Sequence, residues 1–276
     1  MTKEEIEELK IMYSKVWEAF HAYTLIDLVL RWWNKQSRIN ITVTSPKDSK
    51  KEDGSIVVFL DYRSKAIVPF SLDKSYKKIH EALLKTQRIS HSEQYYFLNI
   101  CESYKEVILD AITSLPRTIL FKLDSILYVM SILEAKSHEV SVPGNTYVNG
   151  LTREHSKKIN ELWPHNFENS DEFITVYIEQ NGGYGLFNKD NDELLAWAIQ
   201  GHLGHINLLQ TAEEHRGKGY GKVMLQIISR HIAESGCVPI GSVLVDNIPS
   251  IRFFEKLGFK KAVRTNYIFT DCARQN

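Results

Sequence analysis

Hydrophobic and polar residues follow their clearest pattern in the second half of the chain. Residues 203–211 read as a strand, and the residues after them show the 3.6-residue period of an amphipathic helix that stops at Gly236. A short apolar segment, 240–245, predicts another strand, and Asn247 can cap a further helix that Gly258 ends. The apolar positions on one face of these two helices are Met224, Ile227, Ile228, Ile232, Ile251, Phe254 and Leu257.

The rest of the second half alternates in the same two ways. It predicts strands at 147–151, 184–187, 194–199, 259–265 and 267–269, with helices over 152–163 and from about 171 to the break at 181–183. The resulting order is a strand, two helices, three strands, then helix, strand, helix and closing strands.

The first half also mixes the two periods. It predicts a helical start to about residue 33, helices at 75–86 and 103–114, and strands at 39–44, 55–62, 95–100 and within 118–129. A charged segment, 47–54, predicts a solvated loop. At 276 residues the chain is long enough for two domains, and we place the boundary near 137–142.

A glycine-rich run separates the strand at 203–211 from its helix. It reads Arg216-Gly217-Lys218-Gly219-Tyr220-Gly221. Glycines let the backbone approach an anion closely, and the amides at the start of the helix favour negative charge. Lys222 stands where the nucleotide-triphosphatase loop and the dinucleotide fingerprint would each require a glycine, so both patterns fail. The run predicts a site for a pyrophosphate on another kind of ligand.

The Arg-x-x-Gly-x-Gly pattern, followed by Asn247-Ile-Pro-Ser-Ile-Arg-Phe-Phe-Glu-Lys-Leu-Gly258-Phe259, resembles the GNAT superfamily of acyl-coenzyme A N-acyltransferases. The resemblance implies an α/β (α+β) fold with a central mixed sheet at 138–276 and acyl-CoA or acetyl-CoA as co-substrate. The glycine N-acyltransferase branch has a paired arrangement, which implies a degenerate GNAT-like domain at 1–137. That domain contains no second Arg-x-x-Gly-x-Gly, so it would have lost its coenzyme site and would form a wall of the substrate cleft.

The same resemblance assigns residues to the coenzyme. Pantetheine would pair with the backbone of the signature strand, and the pyrophosphate would lie on the amides of 217–222. The cofactor-binding residues are then Leu209, Gln210, Thr211, Arg216, Gly217, Lys218, Gly219, Tyr220, Gly221, Lys222, Asn247 and Phe254. Solvated surface charge is the alternative for Arg216 and Lys218, and a core role is the alternative for Phe254.

Acyl transfer to an amine also needs a proton acceptor and a donor to the developing oxyanion. Glycine N-acyltransferases resemble this chain around residues 196–199 and carry a glutamate base where this sequence has His205. Imidazole is a competent base at neutral pH, so His205 is the candidate; an ordinary structural histidine is the alternative. The amide of Leu209 is the candidate oxyanion donor. Phe254 replaces a tyrosine acid found in some members and cannot donate a proton, so the thiolate would leave without help.

The charge balance of the chain argues against nucleic acids and anionic membranes as partners. The chain has 34 basic and 34 acidic residues, and this balance gives no overall electrostatic field that would attract nucleic acid or an anionic membrane.

The sequence also predicts no metal site. The three cysteines, Cys101, Cys237 and Cys272, form no Cys-x-x-Cys pair. His202 and His205 are three residues apart on a predicted strand, so their side chains would point to opposite faces. The acidic start lacks a signal or transit pattern. We expect a cytoplasmic protein, with a mitochondrial location left open.

These observations predict an N-acyltransferase that joins an acyl group to a small-molecule amine, glycine or another amino acid. Two alternatives remain open. One is an arylalkylamine or protein N-acetyltransferase, although a large first domain over the cleft disfavours bulky protein substrates. The other is a non-catalytic acyl-CoA-binding protein, suggested by histidine in place of glutamate.

Overall fold

A computed structural model describes residues 1–35, 37–46, 49, 53–90, 92–115, 117–164 and 166–271. Within these residues the helices, numbered α1 to α9, are Lys3–Tyr13, Phe20–Trp32, Lys77–Lys85, Lys105–Ser114, Ile132–Ser137, Ser156–Leu162, Ser170–Asn181, Tyr220–Glu234 and Ile248–Lys256. The strands, numbered β1 to β11, are Asn40–Thr44, Ile56–Asp61, Lys65–Phe70, Tyr95–Cys101, Thr118–Val129, Thr146–Gly150, Gly183–Asn188, Leu194–Gln200, Ile206–Thr211, Ile240–Leu244 and Lys260–Asp271.

The chain forms two compact units. The first comprises residues 1–127, 243–248 and 262–276, and the second comprises 128–242 and 249–261. The boundary at 137–142 stays a prediction about domains. Most of the predicted charged loop at 47–54, and Cys272, lie outside the described residues.

The first unit has the strand order β1-β2-β3-β4-β11-β5. β1, β2 and β3 are joined antiparallel, whereas β3 and β4 run parallel through two residue pairs, Ala66 with Tyr96 and Ile67 with Phe97. The chain returns from its far end to pair β11 antiparallel with β4. β2 is buried over nearly its whole length, so its sequence is continuously apolar instead of alternating.

Two details of the first unit differ from the prediction. The helical start is two helices, because α1 ends at Tyr13, whose hydroxyl donates to the Gly54 carbonyl at 2.9 Å, and α1 then packs against α2. β3 was not predicted, and it contains Pro69, a residue that is uncommon within strands. Pro69 lies beyond the two pairs that join β3 to β4, so its missing N–H removes no bond on that side.

The second unit has the strand order β10-β9-β8-β7-β6. β6 to β9 are antiparallel, and β10 is parallel to β9. β8 is buried along its length because α7 and α8 both pack against it, and Trp197 at its centre has 0% exposure. Burying one such large side chain contributes about 1.5–3 kcal/mol.

The predicted order of elements in the second half is confirmed. Two details differ. The short helix α5 was not predicted, and the two predicted closing strands are a single strand, β11, with an irregularity between Asn266 and Ile268. Across the described residues, no helix combines the length and the apolar character needed to cross a membrane.

Candidate acyl-coenzyme A site

The glycine run forms the turn between β9 and α8. Gly217 and Gly219 have φ of +78° and +82°, the left-handed region that favours glycine. Gly219 is the residue before α8, and no side chain caps the helix there. The Lys222 amide donates to the Gly219 carbonyl at 3.1 Å, whereas the amides of Tyr220 and Gly221 have no side-chain cap, and no acidic residue lies in that turn. This geometry suits an anion such as a phosphate.

Cationic side chains surround the same turn. Arg216 is exposed and lies 3.8 Å from Glu213, an ion pair weak enough to be exchanged for a phosphate. Lys218 Nζ lies 3.2 Å from Nδ1 of His215, and Lys222 is exposed in the first turn of α8. The three cations and the N-terminus of α8 all favour a negatively charged ligand.

The strand that leads into this turn, β9, separates from β10 near its own start. The two strands share one residue pair, Gly241 with Ile206. Two residues later Leu208 has φ of +47°, and the pairing of β9 with β8 shifts register at that point. The Leu208 amide donates to Oδ1 of Asn207 at 2.8 Å, so the backbone of Leu209, which the register with β8 skips, is the candidate group for a ligand. The predicted pantetheine strand thus has an open side.

The other predicted residues of β9 differ in exposure and contacts. Leu209 and Thr211 are partly buried. The side-chain amide of Gln210 donates to the Leu162 carbonyl at 2.5 Å, where it satisfies the end of α6. Its side chain is therefore used within the fold, and Gln210 also pairs with Trp197 of β8. Asn247 is exposed in the first unit, and its amide donates to the Leu244 carbonyl at 3.0 Å.

Two adjacent phenylalanines of α9 have different surroundings. Phe254 is 7% exposed, and its ring covers Gly241 so closely that a Cβ there would lie 2.1 Å from Cε1. Phe253 is half-buried, and its ring lies beside Gly221 and Thr211; a Cβ at Gly221 would be 3.4 Å from Phe253 Cζ. Sequence comparison selected Phe254 and missed Phe253, although consecutive helical residues point about 100° apart.

His205 lies in the turn before β9, so the prediction of His202 and His205 on one strand is wrong. The amide of Gly201 donates to the His205 carbonyl at 2.9 Å, and the side chain of Asn181 donates to the carbonyls of Gln200 and Gly201 at 3.0 Å each. His205 itself is buried. Gly201 and Gly204, three apart, are the signal that could have predicted this turn.

His202 belongs to a row of rings that sequence reasoning missed. The Tyr177 hydroxyl lies 2.6 Å from His202 Nδ1, and the two rings stack at 5.3 Å. Burial lowers the pKa of His202 to about 4 and raises that of Tyr177, so both groups stay neutral and the Tyr177 hydroxyl donates a hydrogen bond to the imidazole. Phe173, Phe167 and Trp163 continue the row at 6.5, 5.7 and 6.2 Å between centroids.

The first unit contains a comparable strand, turn and helix but different chemistry. Tyr76, with φ of +52°, precedes α3 as Gly219 precedes α8. In that turn Asp73 accepts from the amide and hydroxyl of Ser75 at 3.1 and 2.5 Å. These hydrogen bonds hold the pKa of Asp73 below its usual range. The turn before α3 thus already contains a carboxylate, that of Asp73, whereas the turn before α8 can accept an anionic ligand.

The amides and cationic side chains at the turn between β9 and α8 suit a phosphate more than a metal ion. Among the residues that the structure describes, no three or more His, Cys, Asp or Glu side chains are grouped to hold a metal. Cys101 and Cys237 are both buried, and Cys101 Sγ lies 3.1 Å from His21 Nε2.

Comparisons with known proteins agree with this architecture. Residues 183–268 match the family model of FR47-like proteins, and residues 1–111 match that of a domain of unknown function, DUF5645. Among curated proteins, none matches the chain. A Drosophila protein of solved structure has a TM-score of 0.89 at 18% identity, and the match covers 99% of this chain and 98% of that one.

Two further solved structures carry informative names. A tandem GNAT protein from the clavulanic acid biosynthesis pathway has a TM-score of 0.56 at 11% identity, over 91% of this chain and 89% of that chain. A GCN5-related N-acetyltransferase from Sphaerobacter thermophilus has a TM-score of 0.57 at 12% identity, over 91% and 86%. The fold is therefore mixed α/β and tandem GNAT-like.

Proposed function

We propose that the protein is an acyl-CoA-dependent N-acyltransferase that acylates the amine of a small acceptor, glycine or another amino acid. The turn between β9 and α8 carries this proposal. Its two left-handed glycines, uncapped helix start and surrounding cations suit the pyrophosphate of coenzyme A. The open side of β9 beyond the pair of Gly241 with Ile206 suits the extended pantetheine arm.

The proposed reaction uses few side chains. The neutral amine attacks the thioester carbonyl carbon, a C–N bond forms and the C–S bond breaks. His205 accepts the proton that the amine loses, and the thiolate leaves with the electron pair of the broken bond. The amide of Leu209, beside the bulge, donates to the oxyanion; such a donor is worth about 3 kcal/mol.

The experiment measures free thiol release and coenzyme affinity for the wild type and His205→Ala. A positioned base contributes about 10²–10⁴ in rate, so kcat should fall by that factor while the Kd of coenzyme A stays unchanged. His80→Ala, a histidine of the first unit bonded to Asp110, is the matched control and should keep both values. An unchanged kcat for His205→Ala at every pH removes the assignment. Coenzyme binding without thiol release for any amine favours a binding protein.

A second acceptor class has its own support. The row of rings from Trp163 through Phe173 and Tyr177 to His202 ends in the turn that carries His205. Such a row favours an arylalkylamine, because aromatic pairs contribute about 0.5–1.5 kcal/mol beyond area burial. Phe173→Leu should then lower kcat/KM about 2- to 12-fold for phenylethylamine and leave glycine unaffected. Equal effects on both amines contradict this second candidate.

A further inference from the structure

A cavity that is open to solvent lies in the second unit, at the far end of α8. It has a volume of about 220 Å³, and its apolar lining comes from Val140, Val142, Val148 and Ile227. One water needs about 10–15 Å³, and the pockets that bind drug-sized ligands have volumes of about 300–1,000 Å³, so this cavity fits a smaller organic molecule. Arg230, at its wall, lies about 15 Å along α8 from Tyr220, away from the phosphate turn.

The polar side chains of the cavity divide into two kinds. His231 is fully engaged: its Nε2 donates to the Asn181 carbonyl at 3.1 Å, and its Nδ1 accepts from the Tyr184 hydroxyl at 3.2 Å. Arg230 is not. Its Nε is buried and has no hydrogen-bond partner among the described residues, so a donor at the cavity wall is left unmatched.

Glu234 is the other polar group with spare capacity. Arg230 and Glu234 are four residues apart on one helical face, a spacing at which opposite charges commonly pair. Within the described part of the chain neither takes part in an ion pair, and both line the cavity. A simple carboxylate at Arg230 would be repelled by Glu234. A ligand with both a carboxylate and an ammonium group satisfies both.

We propose that this cavity binds a free α-amino acid with an apolar side chain. The carboxylate accepts hydrogen bonds from the guanidinium of Arg230, the ammonium donates to Glu234, and the side chain packs against the valines and Ile227. The site is separate from the acyl transfer proposed above, because none of these residues is assigned to it. His231 also joins the cavity to Asn181, whose side chain holds the turn of His205.

The test is calorimetric titration of the full-length protein with leucine, 4-methylpentanoate and 3-methylbutylamine. Each analogue lacks one of the two charged groups, so each should bind at least about tenfold more weakly than leucine. Arg230→Gln and Glu234→Gln should both weaken leucine binding by at least about tenfold. Arg153→Gln, an exposed arginine of the same unit, should bind as the wild type.

A second variant keeps the test decisive if Arg230→Gln fails to fold. Val148→Phe fills the cavity from β6 without a change in charge, and it should abolish leucine binding. Three results overturn the proposal: no leucine binding to the folded wild type, equal binding of leucine and 4-methylpentanoate, or leucine binding that survives Val148→Phe. The last result would place the amino acid elsewhere, such as in the acceptor site.

Discussion

Gly219→Ala is the sharpest perturbation of the candidate coenzyme site. Gly219 has φ of +82°, and an added Cβ would meet no atom within 4 Å. The substitution therefore introduces backbone strain without a clash. An L-residue in this conformation costs about 1–2 kcal/mol.

That strain must appear in one of two places. If the turn keeps its conformation, the free energy of unfolding falls by about 1–2 kcal/mol. If the turn relaxes in the free protein, coenzyme binding must restore it, and the Kd of coenzyme A rises about 5- to 30-fold. Calorimetric titration and urea unfolding of the same preparation separate the two cases.

A truncated thioester sharpens the result. S-acetyl-N-acetylcysteamine has no pyrophosphate, so its kcat/KM should not change in Gly219→Ala if the turn relaxes. Gly144→Ala is the matched control: its added Cβ also meets nothing within 4 Å, and Gly144 is outside the left-handed region. Wild-type values for both the Kd and the free energy of unfolding refute the reasoning. So does an equal loss with the truncated thioester.

Three further predictions concern stability, each measured by urea unfolding. Gly241→Ala should cost about 1–3 kcal/mol through overpacking against Phe254, and Phe254→Leu in the same chain should recover part of it; strict additivity would contradict the contact. Asp27→Asn should cost about 1–3 kcal/mol, because the buried Asp27 carboxylate bonds Arg31 and a second cation; no loss would contradict that role. The native His202 ring stays neutral to about pH 4 whereas an unfolded imidazole protonates near 6.5, so stability falls as pH falls through this window. His202→Gln should take up about one proton fewer on unfolding there, and an unchanged pH slope would contradict the lowered pKa.

The sequence predicted the second unit well because its signals are local. Apolar periodicity defines α8, and the left-handed conformations of Gly217 and Gly219 follow from a requirement that glycine meets best. The gap between α1 and α2 depends instead on a distant contact from Tyr13 to Gly54. No local period encodes such a contact.

The rest of the site shows the same difference between features that local sequence predicts and features that depend on distant contacts. The positions of Leu209 and Thr211 on the signature strand follow from the motif, but the bulge at Leu208 depends on pairing with β8. Tyr177 and His202 meet only after α7 packs against β8, so sequence spacing could not pair them.

The proposed activity is transfer of an acyl group from coenzyme A to an amine. The most direct measurement incubates the purified protein with acetyl-, benzoyl- and longer acyl-coenzyme A against amino acids and arylalkylamines, and records thiol release together with product mass. We expect an amide in equal amount to the released thiol, at a rate that His205→Ala lowers by about 10²–10⁴. Intact thioester beside a protein saturated with coenzyme would contradict it.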